Sequence, residues 1–423
     1  MKRAAIFMTV ILVAFLSCGC KTSDEPEHQA YAISMSIDES SDGLITIGVQ
    51  VPTLGAGSSS GESTGKSEYD TYTATSSTFP QALHLLTATI PDNLVLSHLK
   101  AVVAGETLAR GESFERVISD MIMTNQLYGS SYLIVSKDEA LKFIQSQQPT
   151  IGTRLSSSLL ATLEHYEQTG YAPMTTLYEA YADMNSFYSD PVLAYAATSE
   201  KSGGGQSASG SGSGEGGSGS SGSSGSSSSE GGAGGGQSSQ SSQYGKGENS
   251  TGASGVPGEG TAGEIARTGP DANEYMGCAV TRDGRMTGVL TGRESMLLSF
   301  INGSHGFLSY YVDDVAMRIT RDNPFIFSVK CGEDALEISL DMSVSVEAMP
   351  SRPDISSIER QLTDDIVKLL EKTQRMGVEI FGLSEQAARQ FLTIEEYLNY
   401  GFRDKFRATP ISVRVKASAE KSG

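Results

Sequence analysis

Tryptophan is absent from this chain of 423 residues, and cysteine and histidine are scarce, at four and five. So few thiol and imidazole ligands leave little material for a metal cage. Positive charge is also short. The 31 Lys and Arg stand against 50 Asp and Glu, a formal net charge of −19. Phosphate contacts need clustered Lys and Arg, which argues against a nucleic-acid binder. An acidic body gains nothing from an anionic lipid surface either, so any hold on a membrane must come from something other than general electrostatics. Long apolar runs are missing too. The run Ala4 to Leu16 is about 13 residues long, whereas a bilayer span needs ~20. With Lys2 and Arg3 before it, it reads as an export signal, leaving a mature protein with no transmembrane helix of its own.

That signal ends in Phe15-Leu16-Ser17-Cys18-Gly19-Cys20. Bacterial lipoproteins are cut directly before a Cys whose thiol takes a diacylglycerol, with a small residue in front of it. Cys20, preceded by Gly19, is the expected lipid site, and residues 1–19 the discarded signal. Cys18, preceded by Ser17, is the competing position, and an ordinary secretory signal with incidental cysteines is the plain alternative. Two acyl chains make a durable attachment where one is marginal. The polar stretch Lys21 to Gln29 reads as a short tether.

One segment is not foldable. From Lys201 to Glu264, Gly and Ser dominate and apolar side chains are nearly absent. Such a stretch cannot bury enough surface to offset its ordering entropy, so residues 197–270 are expected to be a disordered linker spanning ~45 Å r.m.s.. It either lets the flanking halves move independently or bulges out as a loop if they dock.

Both halves mix strands and helices. In residues 20–196, two β-rich runs flank Asp42-Gly43, a hairpin signal, and a Ser/Gly-rich stretch at 57–68 follows. Phe79, Leu83, Leu86 and Ile90 keep helical spacing, as do Phe114, Val117, Ile118 and Met121. Strands are expected at 99–105 and 131–136, a helix behind an Asp138 N-cap, and helices around 155–166 and 174–187. In residues 271–423, a hairpin turns at Asp283-Gly284, and a helix over 293–301 follows. Strands are expected at 314–320, 325–330 and 335–349. In the last, Ile338, Leu340, Met342, Val344 and Val346 alternate with polar residues, so one face is buried. Ile355, Ile358, Leu362, Ile366 and Leu369 mark a long helix, a helical pair covers 385–406, and an alternating strand ends the chain. The expectation is a multi-domain α+β protein with mixed, largely antiparallel sheets and packed helices.

Chemistry is hard to find. There is no P-loop, dinucleotide fingerprint, nucleophile elbow, zinc motif or calcium loop. His305, in Gly-Ser-His-Gly, reads as a turn residue with no visible catalytic partners. Asp364-Asp365 and Asp313-Asp314 are neighbours in sequence, so their side chains diverge and a solvated face is expected. For Cys278 and Cys331, a disulfide and two separate buried thiols are both open.

The order of the pieces resembles the Ger(x)C family, the lipoprotein (C) subunits of nutrient germinant receptors in endospore-forming bacteria. The likeness rests on the lipidated Cys20 and the acidic opening that runs into a strand ending Ile37-Asp38. It continues through the helix from Phe79, the stretch Ser97-His98-Leu99-Lys100 and the run Gly105-Glu106-Thr107-Leu108-Ala109-Arg110. In the second half it rests on the strand, turn and return strand with Gly288 and Leu290, and on Val378-Glu379-Ile380-Phe381-Gly382-Leu383. The last resembles an Asp-x-Phe-Gly-x-Gly pattern with Glu379 and Leu383 substituted. Lys21 stands where a Trp commonly follows the lipidated Cys, and the Gly/Ser insertion is atypical. The resemblance implies a non-enzymatic subunit without cofactor or metal, carrying only the acyl lipid on Cys20. It would sit on the outer face of the spore inner membrane and act with membrane-embedded A and B subunits. On a strand, His98 and Lys100 would point the same way, a candidate partner contact against the simpler reading of an edge-strand surface pair. The competing function is a substrate-binding lipoprotein of a transporter, which needs two parallel-sheet lobes around a cleft. An exported hydrolase would need a nucleophile with partners.

Overall fold

The computed structural model describes residues 28–52, 69–124, 127, 129–147, 155–198, 259–264, 273–312, 315–333, 335–348 and 354–419. Cys18, Cys20, Asp313, Asp314 and nearly all of the Ser/Gly-rich stretches lie outside the described residues.

The first half begins with β1 (Gln29–Tyr31), β2 (Ser34–Glu39), β3 (Ile45–Pro52) and β4 (Tyr69–Ser76). β2 and β3 form the expected hairpin, with Ile37 opposite Ile47 and Gly43 in the turn at φ 74°. β4, unassigned from sequence, pairs antiparallel with β3. Helix α1 (Phe79–Thr89) is capped by Thr78, whose hydroxyl accepts the Gln81 N–H, and has Pro80 in its first turn. β5 (Asn93–Val95) lies parallel to β1. There follow β6 (Ala101–Gly105), α2 (Glu106–Arg110), α3 (Phe114–Met123), β7 (Tyr132–Ser136), α4 (Ala140–Ser146), α5 (Leu155–Thr169), α6 (Leu177–Met184) and β8 (Val192–Thr198).

Strands β2, β6, β7 and β8 run parallel. Every residue of β6 is buried, as an apolar strand between two helix layers must be. Alternate residues serve opposite cores. Val102 and Ala104 join Leu108, Phe114 and Leu177 of α2, α3 and α6, whereas Ala101 and Val103 join Phe143 and Leu163 of α4 and α5.

Beyond the insertion, β9 (Asn273–Arg282) and β10 (Arg285–Leu290) make the expected hairpin, with Asp283 at φ 49° and Gly284 at φ 73°. These two strands complete the first sheet. β9 pairs antiparallel with β8, Thr198 opposite Asn273, and the strand order is β10-β9-β8-β7-β6-β2-β3-β4. The stretch 259–264 is seated as well: Ala262 is buried in the first core, and its N–H donates to the Met276 carbonyl at 3.0 Å.

The remainder forms a second layer pair: α7 (Gly292–Asn302), β11 (Phe307–Val312), β12 (Val315–Arg321), β13 (Ile326–Cys331), β14 (Leu336–Ala348), α8 (Ile355–Met376), α9 (Leu383–Ala388), α10 (Ile394–Tyr400), α11 (Phe402–Ala408) and β15 (Ile411–Ala419). β11, β12, β13 and β14 pair antiparallel, and β15 returns through the helices to lie parallel to β14. The alternation in β14 buries Ile338 to Val346 as expected, against Ile358, Leu362, Ile366 and Leu369 of α8. β11 is a further strand, without a period in the sequence that marks it. The expected helical pair over 385–406 is three short helices, broken at Thr393 and at Gly401 (φ 67°).

Two local expectations are corrected. Residues 97 and 98 form a turn, not a strand, because the Leu99 N–H donates back to the Leu96 carbonyl at 3.2 Å. Asp138 does not cap α4 either. Asp38, at the end of β2, does so from across the sheet, accepting the Ala140 and Leu141 N–H groups at 2.8 and 3.0 Å. Asp138 instead accepts the Thr198 N–H at 2.7 Å and holds the end of β8. A Cβ on Gly105 would collide with the pinned Asp38 carboxylate. Gly105→Ala is therefore expected to destabilise the protein by ~1–3 kcal/mol. The loss should shrink in an Asp38→Ala background, read by denaturant unfolding as a double-mutant cycle; additive losses would rule out the contact.

Candidate functional site: a charged joint between the two layers

The segment Val378 to Ser384 packs against the start of β8 through two buried carboxylates and two half-buried arginines. Glu379 is 2% exposed. Its carboxylate accepts three backbone N–H groups of its own loop, from Phe381 at 2.8 Å, Leu383 at 3.1 Å and Ser384 at 3.0 Å. That wraps the chain tightly around one side chain and opens α9, with Gly382 at φ 73° in the turn. The Glu379 N–H donates to Asp190 at 2.8 Å, and the Asp190 N–H donates to the Glu379 carbonyl at 3.3 Å. Asp190, just before β8, therefore pairs with the loop as a strand would.

Its other oxygen accepts from Arg403 of α11 at 2.9 Å. Arg282, at the end of β9, donates to the Gly377 carbonyl at 2.6 Å and adds a second positive charge near Asp190. Burial pushes both carboxyls above the usual range, with Asp190 adding to the rise at Glu379. The N–H donors at each, and the two arginines at Asp190, pull the other way. The joint thus gathers Asp190, Arg282, Glu379 and Arg403 from distant parts of the chain. Of these, only Glu379 was marked in the sequence, as part of a motif. No local signal could have found the other three.

The remaining sequence candidates fall elsewhere. His98 is exposed and Lys100 half-buried, with the His98 ring edge-on to Tyr31 at 5.0 Å. Cys278 and Cys331 are both free thiols in this structure, on strands of different sheets. Cys278 lies on β9, where burial pushes its thiol up to about 12. Cys331 lies on β13 of the other sheet, and its N–H donates to the Gln390 side chain at 3.1 Å.

Asp364 is exposed as expected, but Asp365 is not a solvated charge. It accepts from Arg293 at 2.7 Å and from the Tyr310 hydroxyl, while the Arg293 guanidinium lies 4.6 Å above the Tyr310 ring. His305 does sit in a turn, but buried, against Gly170 and 4.5 Å from the Phe307 ring. No group of His, Cys, Asp and Glu among the described residues is arranged to hold a metal ion. No helix among them is long and apolar enough to cross a membrane.

Comparison with known proteins identifies the family. The family profile described as "Spore germination protein N-terminal domain" matches residues 22–198, and that described as "Spore germination B3/ GerAC like, C-terminal" matches residues 276–423. The chain belongs to the spore germination B3/GerAC-like family. This is the Ger(x)C family that its residues resemble. Spore germination protein B3 of Bacillus subtilis (strain 168) is 27% identical over 164 residues, covering 38% of this chain and 43% of that protein. A solved structure, described as "Crystal Structure of the GerBC protein", aligns over 92% of this chain and 97% of its own with a TM-score of 0.45 and 14% identity. The two profiles stop on either side of residues 199–275, whereas the sheets do not divide there: β10 and most of β9 fall in the C-terminal profile and in the N-terminal sheet.

Arg403→Ala leaves the Asp190 carboxylate, 3% exposed, without its ion pair, and a loss of ~3–5 kcal/mol in urea unfolding is expected. A loss near zero would show that the joint does not hold the layers together. His305 is held below its ordinary pKa by burial and then by Arg318, so the fold favours the neutral ring. Its contribution is present above about pH 6.5 and is lost as pH falls through the lower folded value. His305→Gln should flatten the acid side of the stability profile, read from melting temperatures across pH 5 to 7.

Proposed function

We propose that this protein is a lipid-anchored C subunit of a spore nutrient germinant receptor. The observation that carries the reading is the family match over both halves, on either side of the insertion. Cys20 is then the lipid site, with a diacylglycerol and further acyl chains such as palmitate. The body sits on the outer face of the spore inner membrane and works with membrane-embedded A and B subunits. Its part is assembly, not catalysis: the buried charges of the joint are consumed in holding two layers in one orientation. His98, exposed in the turn, and Lys100, half-buried just before β6, remain the proposed partner contact.

The test compares the tagged chain with its Cys20→Ala variant in detergent-solubilised spore inner membranes. Multi-pass, transporter-like partners should copurify with the first and be absent from the second. Recovery of the unaltered chain in the soluble fraction, alone and unmodified, would overturn the reading.

A further inference from the structure

The tether and the sheet together fix which edge of the protein faces the lipid. In parallel register, Ser34 of β2 lies beside Ala101 of β6, and Ala101 beside Tyr132 of β7, so these strands start at one edge. The segments before them share that edge. The Lys100 N–H donates to the Ile33 carbonyl, the Tyr132 N–H to the Lys100 carbonyl, and the Tyr178 N–H to the Gly129 carbonyl, at 2.8, 3.0 and 2.9 Å. The chain leaves here too, through β1 and His28. Cys20 is eight residues earlier, a reach of at most ~28 Å. That is shorter than the ~40 Å breadth of a domain of about 200 residues, so an anchor at Cys20 holds this edge towards the bilayer and keeps the opposite one away.

The same edge carries two of the most exposed large apolar side chains. Met123, where α3 ends and the chain turns towards β7, is 70% exposed, and Tyr178, in the first turn of α6, is 63% exposed. An amphipathic Tyr and an unbranched Met suit the headgroup boundary. Nearby charge leans acidic: His28 lies 3.9 Å from Asp92, and Glu164, Glu167 and Glu179 are close enough to act on Tyr132 at the start of β7. The fit is therefore to a bilayer surface by apolar contact, not to an anionic one by attraction.

We propose that the edge of the first sheet bearing Met123 and Tyr178 rests in the headgroup region of the membrane to which Cys20 is tied. The inference depends on the lipid-anchor reading, and its test separates the two. Because the chain has no Trp, a single Met123→Trp substitution gives one fluorophore. Leu44→Trp, at the β2–β3 turn on the opposite edge and 39% exposed, is the control. Both full-length lipidated variants would be reconstituted into phosphatidylcholine vesicles, with and without brominated acyl chains.

Expected are flotation of both with the vesicles, and blue-shifted, bromine-quenched emission from the position-123 variant alone. Flotation with neither quenched, or with both quenched alike, overturns the membrane-facing edge and leaves the anchor standing. Failure to float overturns the anchor, and the inference with it.

Discussion

Strand β9 lends one side to each of two hydrophobic cores, and the second layer is built onto the first through it. Successive strand residues point to opposite faces. Ala279 accordingly lies in the core beneath α2, α3 and α6, while its neighbours Cys278 and Val280 lie in the core of α7, α8 and the second sheet. A slip of one residue against β8 would exchange these faces and break both cores at once. The pairing is bent where it must be. Gly277 sits at φ 86° with its N–H donating to the Tyr171 carbonyl at 2.9 Å, and any Cβ there would meet the Leu290 backbone. Gly288 of β10 similarly leaves room for Met376, whose Cε a Cβ would approach to 2.6 Å.

The charged joint completes what β9 begins. A shared strand alone would leave the second layer free to twist about it, and the attachment on the β8 side opposes that twist. Asp190 supplies it with one oxygen on the backbone of the Glu379 loop and the other on Arg403. Replacing such a buried pair by apolar residues is often neutral or stabilising, so its presence is better understood as fixing orientation than as adding stability. Glu379 serves the same end. Three N–H groups converging on one carboxylate give the loop one conformation, and α9 starts from it.

How much of this could be read from the chain follows from the range of the interactions. The hairpins at Asp42-Gly43 and Asp283-Gly284, helices α1, α3 and α8, and the alternation of β14 are local patterns, and each was legible. The helix cap on α4 was not. Asp138 has the right position in sequence, but Asp38 reaches the same N–H groups from about 100 residues away, and nothing local distinguishes them. His98 and Lys100 misled because a short apolar run beside them reads as strand, while the strand itself begins at Ala101. At the joint, Glu379 was visible only as part of a motif. Asp190, Arg282 and Arg403 look like any other surface charge until folding brings them together.

The long segment between β8 and β9 fits this design because of where its ends lie. It enters after Thr198 and returns at Asn273, and these two residues are opposite one another in neighbouring antiparallel strands. A tight turn of a few residues would have served the same connection. Closing about 70 residues instead of four costs only ~2–3 kcal/mol of extra loop entropy, since the cost grows with the logarithm of length. The returning stretch recovers part of this before β9 begins. Ala262 enters the first core, Gly263 donates to Glu274 at 3.0 Å, and the Gly292 N–H donates to the Gly260 carbonyl at 3.0 Å. Contacts to both layers thus precede the strand that joins them. The ends of the segment are held opposite one another by β8 and β9, and residues 260–263 add contacts of their own.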